Sequence, residues 1–83
     1  MEHWVYMVEC GDGSFYIGYA KDVERRVFEH NNSAKAAKYT RSRRPVKLVY
    51  KQHALTRSEA LRLEHQLKKL SREKKSDLIS HSL

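Results

Sequence analysis

The sequence predicts a small α+β domain, with a three-stranded, mainly antiparallel sheet flanked by helices in the order strand, strand, helix, strand, helix, helix. Three observations carry this prediction. Two short strand-like runs flank a Gly11-Asp12-Gly13 turn. Two later segments open on helix-start signatures. The 83 residues, 40% of them hydrophobic, suffice for one compact core and no second, so residues 1–83 read as a single domain.

The elements follow in chain order. Residues 3–10 form the first strand, with Trp4, Tyr6 and Val8 on one face and Val5 and Met7 on the other. Residues 14–19 return as the second strand of a hairpin. With the turn centred on Asp12, Tyr6 stands opposite Gly18, and Val8 opposite Tyr16. Asp22 caps a helix over 23–31, with Glu24 in its first turn. Residues 32–45 are basic and polar without clear periodicity, and read mostly as loop. Val46 to Lys51 form the third strand. Thr56-Arg57-Ser58-Glu59 has the pattern of a capping box and opens a Leu- and Ala-rich helix over 57–70. Ser71 interrupts it, and a last short helix covers 72–80.

Composition narrows the function. No stretch is long and apolar enough for a membrane span, and the N-terminus lacks the basic-then-apolar order of a secretory signal. The single cysteine, Cys10, can form neither an internal disulfide nor a cysteine-based zinc site, so a reducing, cytoplasmic setting is expected. The sequence assigns no oligomeric state. Its net charge is +7, unevenly spread: residues 1–30 hold three basic and six acidic side chains, and the remainder fourteen and four. From Lys35 to Lys51 there are seven basic residues and no acidic one, interleaved with Tyr39 and Tyr50. Such an excess points to a polyanion, above all nucleic acid, with Lys35, Lys38, Arg41, Arg43 and Arg44 as contacts. Solubility alone is the plainer reading.

Polar residues interrupt both helical burial patterns. At about 100° per residue from Ala60, Leu63, Leu67 and Leu70 fall at about −60°, −20° and −80°. Glu64, at about +40°, and Lys68, at about +80°, fall inside the same arc. A carboxylate there is paired, metal-bound or at the mouth of a cleft. An ordinary Glu64–Lys68 ion pair is the plainer reading. In the first helix Arg26 and His30 share the face that should pack on the sheet, against the alternatives of a snorkelling arginine and a satisfied core histidine. Arg25 and Glu29 point elsewhere, towards solvent. In the hairpin, Tyr6 and Tyr16 lie on one face, diagonal to each other, and Gly18 is expected to leave open space beside Tyr6 for a substrate backbone. Two stacked core tyrosines are the alternative.

These same residues carry a family resemblance. The run Trp4-Val5-Tyr6, then Tyr16-Ile17-Gly18, then Asp22 to Asn31, resembles the start of a GIY-YIG nuclease domain. Ser58 to Lys68 resembles that family's metal-binding helix, and the likeness spans about residues 3–75. Small stand-alone bacterial members are the most similar. Trp4 stands where the family has its first glycine, and no asparagine follows the helical glutamate.

The resemblance implies divalent-metal-dependent cleavage of a phosphodiester with one Mg²⁺ or Mn²⁺, in a nucleic acid for which DNA is favoured over RNA and the choice between them stays open. Tyr6 and Tyr16 correspond to the family's two tyrosines, Arg26 to its catalytic arginine, His30 to the histidine one turn on, and Glu64 to its single acidic metal ligand. Lys68 joins the basic residues expected to meet nucleic acid. The expected function is thus a structure-directed endonuclease. A binding module of the same fold with little or no cleavage is the alternative, and an adaptor for an acidic protein partner is a third reading.

Overall fold

A computed structural model describes residues 2–81. The single domain expected over 1–83 therefore extends at both ends onto residues outside the described ones. Strand β1 (His3–Glu9) turns through Gly11-Asp12-Gly13 into β2 (Phe15–Ala20). Helix α1 (Val23–Asn32), a four-residue helix α2 (Lys38–Arg41), strand β3 (Lys47–Ala54) and helices α3 (Arg57–Lys68) and α4 (Arg72–His81) follow. The sheet is antiparallel throughout, in the order β2-β1-β3, so the first strand is the central one.

The turn accounts for the hairpin register. Asp12 accepts hydrogen bonds from the backbone N–H and hydroxyl of Ser14, and Gly13 takes a φ of +85°, a conformation that side-chain-bearing residues rarely adopt. Tyr6 then pairs with Gly18, and Val8 with Tyr16, as expected. On the other side of β1, a register shift between Met7 and Val8 leaves Val49 as an extra residue in β3.

Burial on the two sheet faces follows the period-two pattern of β1. Val5 and Met7 point to one side, where Ile17, Ala54, Ala60 and Leu67 enclose them and α3 packs. Tyr6 and Val8 point to the other, with Val23, Ala20 and Val46, beneath α1. Both helix caps form as predicted: Asp22 accepts from the N–H of Arg25, and Thr56 from that of Glu59.

Residues 32–45 are mostly turn and loop, as expected, with the four-residue α2 formed within them and packed against α1. Two sequence expectations need correction. The third strand continues to Ala54, since pairing with β1 supplies hydrogen bonds to Gln52, His53 and Ala54 that no sequence pattern announces. Lys68 lies outside the buried arc of α3, which closes on Ala60 and Leu67 and places Glu64 at its margin.

Candidate active site

The alternating pattern of β1 sends Tyr6 inward, and the pitch of α1 sends His30 inward to meet it. Tyr6 is 1% exposed and His30 fully buried. The Tyr6 hydroxyl lies 2.7 Å from Nε2 of His30. The other ring nitrogen, Nδ1, lies 2.8 Å from Oγ1 of Thr40, itself fully buried on α2. Tyr16 packs the edge of its ring on His30, with centroids 5.3 Å apart, and stacks on Tyr39 at 6.0 Å. His30 thus packs on both tyrosines, in place of the simple tyrosine stack that the hairpin register allowed.

Gly18 has a different role from the one expected. A Cβ at this position would come within 2.6 Å of the Tyr6 oxygen and 2.8 Å of its Cζ. The space beside Tyr6 is therefore filled by the Tyr6 ring itself, which lies across the glycine, and is not an opening for a substrate backbone.

Arg26 approaches from one turn before His30. Its Nη1 donates to Oε1 of Glu29 at 3.1 Å and to the carbonyl of Lys35 at 3.0 Å. Glu29 is thus not a solvated side chain, as its angle on the helix suggested: it is ion-paired to Arg26 and, at 3.6 Å, to Arg25. These bonds fix the guanidinium beside the Tyr6 phenol, whose ionised form it favours.

Burial dominates the electrostatics. Desolvation, with smaller contributions from the neighbouring Tyr16 and the Glu64 carboxylate, pushes the Tyr6 phenol up to about 12 against the lowering effect of Arg26. Desolvation and then the Arg26 charge push His30 down to about 4. At neutral pH the pair is a neutral phenol on a neutral imidazole. Proximity to Arg26 does not by itself make Tyr6 a ready phenolate.

Glu64 stands on α3, and its charge reaches Tyr6. Its side chain is 19% exposed, and Oε2 lies 3.3 Å from Lys68 Nζ, so the predicted ion pair forms on a carboxylate that is also near the site. Oε1 has no partner among the described residues. Among those residues no group of three or more His, Cys, Asp or Glu side chains could hold a metal ion. A single hard oxygen donor nonetheless suits a hard divalent cation that keeps water ligands and takes phosphate oxygens from a substrate.

The basic stretch divides into two groups. Arg44 donates to the carbonyls of His30 and Ser33, both at 2.6 Å. Arg43 pairs with Asp12 at 3.1 Å, donates to the Tyr39 carbonyl and lies over the Tyr39 ring at 3.9 Å. Both are used inside the molecule. The side chains of Lys35, Lys38 and Arg41 have no partner among the described residues. Lys38 and Arg41 line an open depression of about 590 Å³ with Tyr39, Ser42 and Arg43, next to Tyr16. Sequence reasoning missed Glu29 and Thr40. The i,i+3 spacing of Glu29 from Arg26 was a usable signal, whereas nothing local marks Thr40.

No helix among the described residues is long and apolar enough to cross a membrane. Comparison with known proteins places residues 2–77 within the model of the GIY-YIG catalytic domain. A UPF0213 protein of Staphylococcus saprophyticus is 54% identical over 79 residues, covering 95% of each chain. A UPF0213 protein of Staphylococcus aureus is 54% identical over 77 residues, covering 93% of each. Two solution NMR structures are similar. One is a UPF0213 protein of Bacillus halodurans (50% identity, TM-score 0.61, 96% of this chain and 84% of that one). The other is a protein of E. faecalis (42% identity, TM-score 0.65, 98% and 85%).

Proposed function

This chain belongs to the GIY-YIG catalytic-domain family, a family of nucleases, and we propose that it is a divalent-metal-dependent endonuclease hydrolysing phosphodiesters of DNA. The observation that carries this reading is the buried Tyr6–His30 pair with Arg26 fixed beside it. A structural core has no need of a charged guanidinium held by two bonds next to a desolvated phenol.

Glu64 is the residue that would hold the metal, Mg²⁺ or Mn²⁺, which when bound stabilises negative charge on phosphate oxygens. Arg26, with Nη1 already engaged, offers the rest of its fork to a non-bridging oxygen and so favours the more highly charged transition state. Tyr6 orients the attacking water through its oxygen. Burial pushes the phenol up and the imidazole down, and both shifts oppose passing a proton outright from Tyr6 to His30. Stepwise formation of a free tyrosinate is therefore disfavoured. A concerted shift avoids it: the water proton moves to Tyr6 Oη as the phenol proton moves to His30 Nε2. The base at the end of this relay has the strength of a carboxylate. Tyr16 covers His30 and helps keep bulk water from it.

The unpaired Lys35, Lys38 and Arg41 lie on the stretch that connects α1 to β3, where they suit phosphates of the substrate backbone. Phosphate contacts carry no base information, which favours a substrate chosen by shape, such as a branch or flap. The test is nicking of supercoiled and branched DNA with Mg²⁺ or Mn²⁺. Cleavage should be lost in Glu64→Ala and Arg26→Ala. Equal cleavage in the wild type and both variants would overturn the reading, and salt-dependent binding without cleavage would favour the non-catalytic binding module.

A further inference from the structure

His30 is fully buried with both ring nitrogens in hydrogen bonds, so its protonation pattern is set by its partners and not by solvent. A neutral imidazole has one N–H and one lone pair. On the Nδ1 side stands the Thr40 hydroxyl, which owns a single proton. Its Oγ1 also lies 3.0 Å from the carbonyl oxygen of Ala37, an atom that can only accept. Spent on that carbonyl, the hydroxyl proton leaves a Thr40 lone pair facing the imidazole, so Nδ1 must donate.

The Nε2 side agrees with this assignment. If Nε2 carried the proton it would donate to Tyr6 Oη, and the phenol proton would then need another acceptor. The Arg26 guanidinium beside that oxygen is a pure donor. With the lone pair on Nε2, His30 itself accepts the phenol's hydrogen bond inside the core. With the Thr40 hydroxyl bonded to Ala37, whose carbonyl also accepts the N–H groups of Thr40 and Arg41, the chain of bonds runs one way: Tyr6 donates to His30, His30 to Thr40, and Thr40 to Ala37.

We propose that Thr40 is a positioning residue that fixes the tautomer of His30, with the proton on Nδ1 and the lone pair of Nε2 aimed at the Tyr6 hydroxyl. Its use in hydrolysis rests on the nuclease reading above; the tautomer itself does not. The short helix α2 therefore does more than carry charge. Its inward face supplies the group that makes His30 an acceptor, while Lys38 and Arg41 on the same turn face outward.

The experiment is ¹H–¹⁵N correlation NMR of the histidine side chains in the whole ¹⁵N-labelled chain at neutral pH, without substrate or metal. The expected result is a pyridine-like, unprotonated Nε2 and a protonated Nδ1 for His30. A protonated Nε2 in the wild type overturns the proposal. Thr40→Val keeps the shape but removes the acceptor, and should mix or reverse the tautomer and lower kcat by ~10–100-fold with KM little changed. Thr40→Ser should restore both. An unaltered tautomer and kcat in Thr40→Val overturns the proposal. If that variant fails to fold, the wild-type and Thr40→Ser spectra still decide the tautomer. A wild type with the expected tautomer but no cleavage sinks the nuclease reading and leaves the assignment of Thr40 supported.

Discussion

The ring of Tyr6 lies across Gly18 on the neighbouring strand, so close that a single added carbon on the glycine would sit 2.6 Å from the phenol oxygen. The obstructing atoms belong to the end of a side chain that is itself buried and hydrogen-bonded, so the clash cannot be relieved by turning Tyr6 into solvent. Gly18→Ala should destabilise the fold by about 1–3 kcal/mol and lengthen the Tyr6–His30 bond. Denaturant unfolding measures the first. An unchanged midpoint would show that the strand yields without cost.

His30 makes stability depend on pH. Its folded value, about 4, lies below the ordinary histidine value of 6.5, so between these limits the unfolded chain binds more protons. Stability should be complete above about pH 6.5 and decline by about 3 kcal/mol as pH falls to about 4. Calorimetric or denaturant melts between pH 7 and 4 test this, with a direct NMR titration of the His30 ring. Protonation of that ring near pH 6.5 would contradict it. Cleavage should show the same offset, with its acid limb displaced well below 6.5.

Glu29→Gln should loosen Arg26 without removing it. One of the two bonds to Nη1 weakens, while the Lys35 carbonyl remains. Cleavage is expected to fall by ~10-fold, against at least ~100-fold for Arg26→Ala. Single-turnover rates on one nicked substrate would rank the two. Equal losses would mean that Glu29 does more than orient the guanidinium.

The basic stretch should separate into two behaviours. Lys38→Ala and Arg41→Ala should each lower the slope of log affinity against log salt by about 1, with unfolding unchanged. Arg44→Ala should instead destabilise the chain by about 1.5–3 kcal/mol, because it strips charge-assisted bonds from the His30 and Ser33 carbonyls. Binding titrations across a salt series, beside melts of the same proteins, would distinguish these outcomes.

Local chemistry made much of this molecule legible in the sequence. The Gly11-Asp12-Gly13 turn fixed the hairpin register, and period two put Tyr6 and Tyr16 on one face. Asp22 and Thr56 marked both helix starts, and helical pitch set Arg26 and His30 towards the sheet. Each of these depends on residues a few positions apart, where sequence spacing is spatial spacing. The tertiary structure decided what those side chains meet. Gly18 proved to be filled by the ring of Tyr6, and Glu29 turned from solvent to Arg26. Arg43 and Arg44 were drawn into the fold. Thr40, ten residues beyond His30 in a stretch without periodicity, became the partner of its second nitrogen. The reason is physical. A buried hydrogen bond forms because desolvation leaves its groups no other partner, and which groups are desolvated together is set only when the helices close on the sheet.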